Sequence, residues 1–155
     1  MKLKFTASAV IAAALTLTAC ATSPTGRNQV LLYSETQLAQ MGDQAFTGMK
    51  EELKISNKAV QNSYVECVAN AITAQVPATV FNGQWEVVVF DDEQVNAFAL
   101  PGGKIGVYTG LLNVAENQHQ LAAVIGHEVG HVIAEHGNER MSQSTLINMG
   151  SQAVG

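Results

Sequence analysis

The feature that most constrains this chain is His127-Glu128-Val129-Gly130-His131, set in an apolar stretch holding Leu121, Ala122, Val124, Ile125, Val132 and Ile133. Residues four apart share one face of a helix, one turn above the other. Two imidazoles so placed can bind one Zn²⁺ at about 2.0–2.1 Å each. Glu128 stands one residue round from His127, where its carboxylate reaches a metal-held water from the side and acts as general base rather than as ligand. With 4 His and 10 Glu in 155 residues, such a pattern arises by chance in about 0.6 % of chains of this composition. Three unpaired polar side chains inside so apolar a helix would cost on the order of several kcal/mol. The motif therefore predicts a metal-binding helix.

The expected helix runs from about Ala115 to Gly137. His136 lies nine residues after His127, about 180° round a continuous helix, and faces away from the metal. Glu135 is nearer the metal face but too far along the axis to share one ion. An extended ligand set with Gly and His at the seventh and tenth positions after His127 is excluded, because Ala134 and Gly137 stand there. Glu135 and His136 read as helix-surface residues, and His119 as a solvated residue at the helix start. Gly126 and Gly130 each lower helix propensity by about 1 kcal/mol relative to Ala. They either admit another backbone close to the metal helix or mark ordinary tight packing.

Upstream, Ser34-Glu35-Thr36-Gln37 opens a helix, with Ser34 as N-cap and Gln37 at the third helical position. Leu38, Met41, Ala45 and Met49 follow at helical spacing. A second helix covers 57–75, with Val60, Tyr64, Val68, Ala71 and Ile72 as its inner face, and Pro77 ends it. Trp85 to Phe90 reads as a buried strand and Val95 to Leu100 as a second. Pro101-Gly102-Gly103 is a turn, after which Ile105 to Tyr108 resumes a strand that Gly110 breaks. The fold class expected is α+β, with a small antiparallel sheet beside the His-Glu-x-x-His helix.

Composition narrows the function classes. A chain 47 % hydrophobic and 14 % charged is not disordered. Eight basic against thirteen acidic residues leave no electrostatic footprint for nucleic acid. Two cysteines are too few for a disulfide-stapled miniprotein.

Lys2 and Lys4 precede a charge-free run, Thr6 to Ala19, which is the layout of a secretory signal. The run is shorter than the roughly 20 apolar residues of a membrane span. Its end, Leu17-Thr18-Ala19-Cys20, resembles a bacterial lipobox, in which the cysteine becomes the lipidated first residue. Acyl chains on Cys20 would hold the protein at a membrane, each buried methylene adding about 0.8 kcal/mol. Ala21 after the cysteine resembles lipoproteins sent to the outer membrane. The domains expected are 1–19 signal peptide, 20–33 tether and 34–155 catalytic-domain portion. Loss of Lys2 and Lys4 would take the net charge from −5 to −7. Cys67, among Val65, Val68, Ala69 and Ile72, is expected to be a buried, inert thiol.

Asn96 to Leu112 (NAFALPGGKIGVYTGLL) and Leu121 to Ser142 (LAAVIGHEVGHVIAEHGNERMS) resemble the HtpX/CAAX-prenyl-protease type of zinc metallopeptidase, the forty-eighth metallopeptidase family. The lipobox and the segment TGRNQVLLYSETQ are similar to its bacterial lipoprotein members, of the LoiP and BepA kind. The resemblance implies a zinc metalloendopeptidase with one Zn²⁺ per complete catalytic domain. His127 and His131 would be ligands, Glu128 the catalytic base, and a Glu on a later helix, not found in this chain, the third ligand. It implies that the strand around Asn96, Ala97, Phe98 and Ala99 binds protein or peptide substrates by strand addition. Nothing in Val132–Gly155 resembles the helix that carries the third ligand, so the chain reads as an N-terminal part of a longer protein. The expected setting is the bacterial envelope, lipid-anchored to the outer membrane and facing the periplasm, with misfolded envelope proteins as substrates. The alternative is a non-catalytic, lipid-anchored binding or chaperone-like module with an incomplete metal site.

Overall fold

The computed structural model describes residues 20–23 and 26–154. The signal-peptide expectation for residues 1–19 lies outside the described residues. In chain order the elements are β1 (Cys20–Thr22), β2 (Asn28–Val30), α1 (Glu35–Glu52), α2 (Ala59–Thr73), β3 (Glu86–Phe90), β4 (Ala97–Leu100), β5 (Lys104–Tyr108), α3 (Thr109–Val114), α4 (Gln118–Ile133) and α5 (His136–Val154). The α+β class is the one expected. The chain divides into two compact units. One is Ser34–Ala134; the other joins the residues up to Tyr33 with those from Glu135.

In the 34–134 unit the sheet order is β3-β5-β4. β3 pairs parallel with β5, Glu86 opposite Lys104 through Phe90 opposite Tyr108. β4 pairs antiparallel with β5, Ala97 opposite Val107 through Leu100 opposite Lys104. The sheet is therefore mixed, not purely antiparallel as expected. Strands lie about 4.8 Å apart, so the six residues between β3 and β4 can span two strand positions. β5 then returns into the gap between them. Gly102 and Gly103 make that return, at φ 82° and 75°, a region open to glycine at little cost.

Alternation along the strands sorts the side chains into two layers. Val87, Val89, Ala97, Ala99, Ile105 and Val107 join Val65, Ala69, Leu121, Ile125 and Val129 of α2 and α4 in an aliphatic core. The intervening positions Val88, Phe90, Phe98, Leu100 and Tyr108 join Phe46 and Met49 of α1 in an aromatic one. Phe46 meets Phe90 and Phe98 edge-on, each at 6.2 Å between centroids. Gly106 makes room for Phe98: a Cβ there would lie 2.2 Å from its ring.

Ser34 caps α1 with the expected capping box. The buried face of α1 is Leu38, Gly42 and Phe46, while Met41 and Ala45, which follow Leu38 at helical spacing, are exposed. Gly42 sets that face, since a Cβ there would stand 2.1 Å from the Pro101 carbonyl oxygen. On α2 the inner residues are Val65, Ala69 and Thr73, with Val68 and Ile72 partly covered. Val60, 84 % exposed, and Tyr64 and Ala71 face solvent instead of the core. Cys67 is exposed, not buried. Two apolar stripes run along α2, and packing against α4 selects the Val65 stripe.

The single long helix expected over 115–137 is two helices. α4 ends at Ile133, and Glu135 takes φ 53°, a left-handed conformation costing a non-glycine residue about 1–2 kcal/mol. Neither glycine nor proline stands at 135, so local propensity does not place the break. The stretch 20–33, read above as a tether, carries the antiparallel β1–β2 ribbon, Cys20 opposite Val30.

Candidate metal and catalytic site

α4 starts where Asn117 caps it. The Asn117 side chain accepts from the backbone N–H groups of His119 and Gln120, at 3.0 and 3.2 Å. This cap was missing from the expected helix, although Asn directly before an apolar periodic run is a start signal. His119 is solvent-exposed as expected.

A helix turns about 100° per residue. Leu121, Ile125 and Val129 form the buried stripe of α4. Relative to Ile125, His127 and His131 lie about 200° and 240° round, and Glu128 about 300°. The histidines thus stand opposite the core stripe, and the carboxylate stands between. His127 is exposed, whereas Glu128 and His131 are half-buried. The packing that buries the stripe therefore turns the motif outward.

The Nε2 atoms of His127 and His131 are 3.0 Å apart. Their rings meet edge to face, 4.4 Å between centroids. Two nitrogens held at 2.0–2.1 Å on one tetrahedral ion stand about 3.3 Å apart. The pair therefore fits a single zinc as two of its ligands. Among the described residues no third His, Cys, Asp or Glu groups with them. α4 ends before Glu135 and His136, so the continuous-helix angle expected for them no longer describes either. Gly126 meets only Ile72 Cδ1, at 3.9 Å from a Cβ built there, and nothing comes within 4 Å at Gly130. No other backbone approaches α4 at these glycines among the described residues. The apolar surface of α4 is largely in the core: Ile125 is fully buried, and Val124 and Ile133 pack against the aliphatic cluster.

β4 is an edge strand, and α4 packs beside it. The Tyr108 N–H donates to the Asn96 carbonyl at 3.1 Å. Antiparallel pairs alternate between bonded and non-bonded, so Phe98 and Leu100 also turn their backbone groups toward β5. Ala97 and Ala99 turn theirs to the open edge. The four residues expected to touch substrate are thus not equivalent. Asn96 is exposed with its carbonyl engaged, Phe98 has its ring in the aromatic core, and the two alanines carry the available edge.

Residues 56–155 match the sequence pattern of Peptidase family M48. The chain belongs to that family of metallopeptidases. It is 38 % identical over 114 residues to the mitochondrial metalloendopeptidase OMA1 of Arabidopsis thaliana, covering 71 % of this chain and 23 % of the relative. It is 30 % identical over 135 residues to the mitochondrial metalloendopeptidase OMA1 of Bos taurus, covering 80 % and 25 %. To the beta-barrel assembly-enhancing protease of Escherichia coli it is 25 % identical over 100 residues, covering 64 % and 20 %. The chain spans about a quarter of the length of the curated relatives it matches.

Two expectations are corrected here. The kinship is to the M48 family broadly, with mitochondrial relatives at higher identity than the bacterial protease, not specifically to HtpX- or LoiP-type lipoproteins. The expected bacterial outer-membrane, periplasm-facing location falls with it, because the stronger relatives are mitochondrial enzymes. The His-Glu-x-x-His helix and its neighbouring strand obey the same chemistry in any compartment, so they carry no address. Among the described residues no helix is long and apolar enough to cross a membrane.

Proposed function

We propose that this chain carries part of the catalytic domain of a zinc-dependent metalloendopeptidase. The observation that supports it most is the convergence of His127 and His131, 3.0 Å apart at Nε2, on the outward face of a helix that packs beside an open strand edge. These two imidazoles would hold the metal, with a third ligand still to be identified. When bound, zinc supplies Lewis acidity toward water and the scissile carbonyl. Glu128 takes the proton of the attacking water and returns it to the leaving amine, the role that its place beside His127 allows. The outward N–H and C=O groups of Ala97 and Ala99 bind an extended protein or peptide substrate as an added strand. Attachment to a membrane through acyl chains on Cys20 is supported by Leu17-Thr18-Ala19-Cys20. Cys20→Ala would then move the protein from the membrane pellet to the soluble fraction.

In the full-length protein, Glu128→Gln keeps stoichiometric zinc and lowers peptide cleavage by about 10²–10⁴-fold. His131→Ala loses the zinc itself. Near-normal cleavage by Glu128→Gln would remove Glu128 from the base role, whereas no cleavage by the parent protein would favour a non-catalytic binding module. Proline is tolerated on an edge strand where its missing N–H faces outward. Ala99→Pro therefore leaves the fold intact and raises KM for peptides, whereas Phe98→Pro disrupts the β4–β5 pairing.

A further inference from the structure

The unit formed by the residues up to Tyr33 and those from Glu135 has an unusual interior. Ser23, Gln29, Asn138, Glu139 and Ser142 are buried in it. No apolar side chain among its described residues is equally buried. The buried polar groups are joined across more than a hundred residues of sequence. The Arg27 guanidinium forks onto the Glu139 carboxylate, Nη1 to Oε1 at 2.6 Å and Nη2 to Oε2. Gln29 Nε2 donates to the same carboxylate at 3.2 Å. Asn138 Nδ2 donates to the Tyr33 carbonyl at 2.9 Å, and the Tyr33 N–H donates to Asn138 Oδ1 at 3.3 Å. The Leu32 N–H donates to Ser142 Oγ at 2.9 Å, and the hydroxyls of Tyr33 and Thr145 bond at 2.8 Å. At the other end, the Arg27 N–H bonds Ser23 Oγ at 3.1 Å, closing the β1–β2 turn that presents Arg27.

We propose that the segment around Arg27–Tyr33 is a releasable strap on α5, locked by the Arg27–Glu139 pair. Apolar burial holds an element without regard to charge; among the described residues this contact has no fully buried apolar side chain to fall back on. A carboxylate 7 % exposed needs its guanidinium partner, and removing that partner leaves a buried unpaired charge. The first three turns of α5, which carry Asn138, Glu139, Ser142 and Thr145, then lose their hold together. Any event that takes Arg27 away, whether cleavage in the strap or a competing carboxylate, frees the start of the helix that follows the metal helix. This holds whether or not the chain is a peptidase.

Amide hydrogen exchange on the intact chain tests this. Arg27→Ala should speed exchange at residues 138–145 at least tenfold and leave residues 121–133 within twofold of the parent. Glu139→Gln added to Arg27→Ala should restore slow exchange, because it removes the stranded charge while keeping an acceptor for Gln29. Arg27→Lys, with one donor head in place of the fork, should fall between. Unchanged exchange at 138–145 in Arg27→Ala would overturn the strap, as would an equal rise over 121–133 or a failure of Glu139→Gln to restore protection. Should Arg27→Ala not fold, Arg27→Lys with and without Glu139→Gln decides by the same readout.

Discussion

The two units bury opposite kinds of chemistry. Residues 34–134 enclose every strongly buried apolar side chain among the described residues, from Leu38 to Ala134. The other unit buries a carboxylate, paired to the exposed Arg27, with two amides and two hydroxyls. An apolar core is non-directional and tolerant of condition. A polar interior is specific but conditional, since each group must keep its partner. The helix that carries His127 and His131 is fixed by the first kind of interior and the start of the helix after it by the second. The element packed by apolar contacts thus carries the His-Glu-x-x-His motif, and the conditional element adjoins it in the chain.

The largest effect should come from the aromatic core. Phe90, fully buried between Phe46, Phe98 and Tyr108, changed to Ala should cost about 3–5 kcal/mol in chemical denaturation. A loss below about 1 kcal/mol would mean that unit 34–134 is not held by this cluster. Asn138→Ala strands the Tyr33 N–H and carbonyl and should cost about 1–3 kcal/mol. Its signature should be local: faster exchange at 138–145, with urea unfolding of the sheet little changed. Simultaneous loss of both would erase the contrast between the units.

Acid should separate the two interiors further. The Arg27 hydrogen bonds hold the Glu139 carboxyl below its ordinary range, Gln29 and the nearby His136 adding to the effect. Lys104 and Lys50 do the same for Glu86 at the sheet. A depressed folded-state value means that the stabilisation is complete above the ordinary carboxylate range, about pH 4, and is lost as pH falls through the depressed value. Exchange at 138–145 should therefore rise on acidification before the sheet opens, because Glu86 sits at the margin of an apolar core and Glu139 is the lock itself. A sheet that opens first would reverse the assignment. Gly126→Ala should have the smallest effect, a stabilisation of up to about 1 kcal/mol. Its new Cβ meets only Ile72 Cδ1 at an ordinary 3.9 Å. Destabilisation by thermal melt would show that α4 packs more tightly there than the geometry indicates.

The motif, the capping box at Ser34, the three strands and the Pro101-Gly102-Gly103 turn were legible in the sequence. Each rests on contacts between residues a few positions apart: helix periodicity, side-chain-to-backbone caps, strand alternation and positive-φ glycine. The sequence by itself also determined that His127 and His131 share a face, since four residues make one turn whatever surrounds them. What it could not determine were choices between local equals. α2 carries two apolar stripes of similar spacing, and only the contact with α4 buried Val65 and exposed Val60. β5 could have extended a meander, and only the reach of the β3–β4 connection opened the central place for it. The break at Glu135 has no local signal at all, because a glutamate enters the left-handed region only when something else fixes the backbone on either side. Here Asn138 and Glu139 are held by Tyr33, Arg27 and Gln29, partners more than a hundred residues away. Side chains that far apart leave no periodicity in the sequence, so tertiary structure alone decided where the helix of His127 and His131 ends.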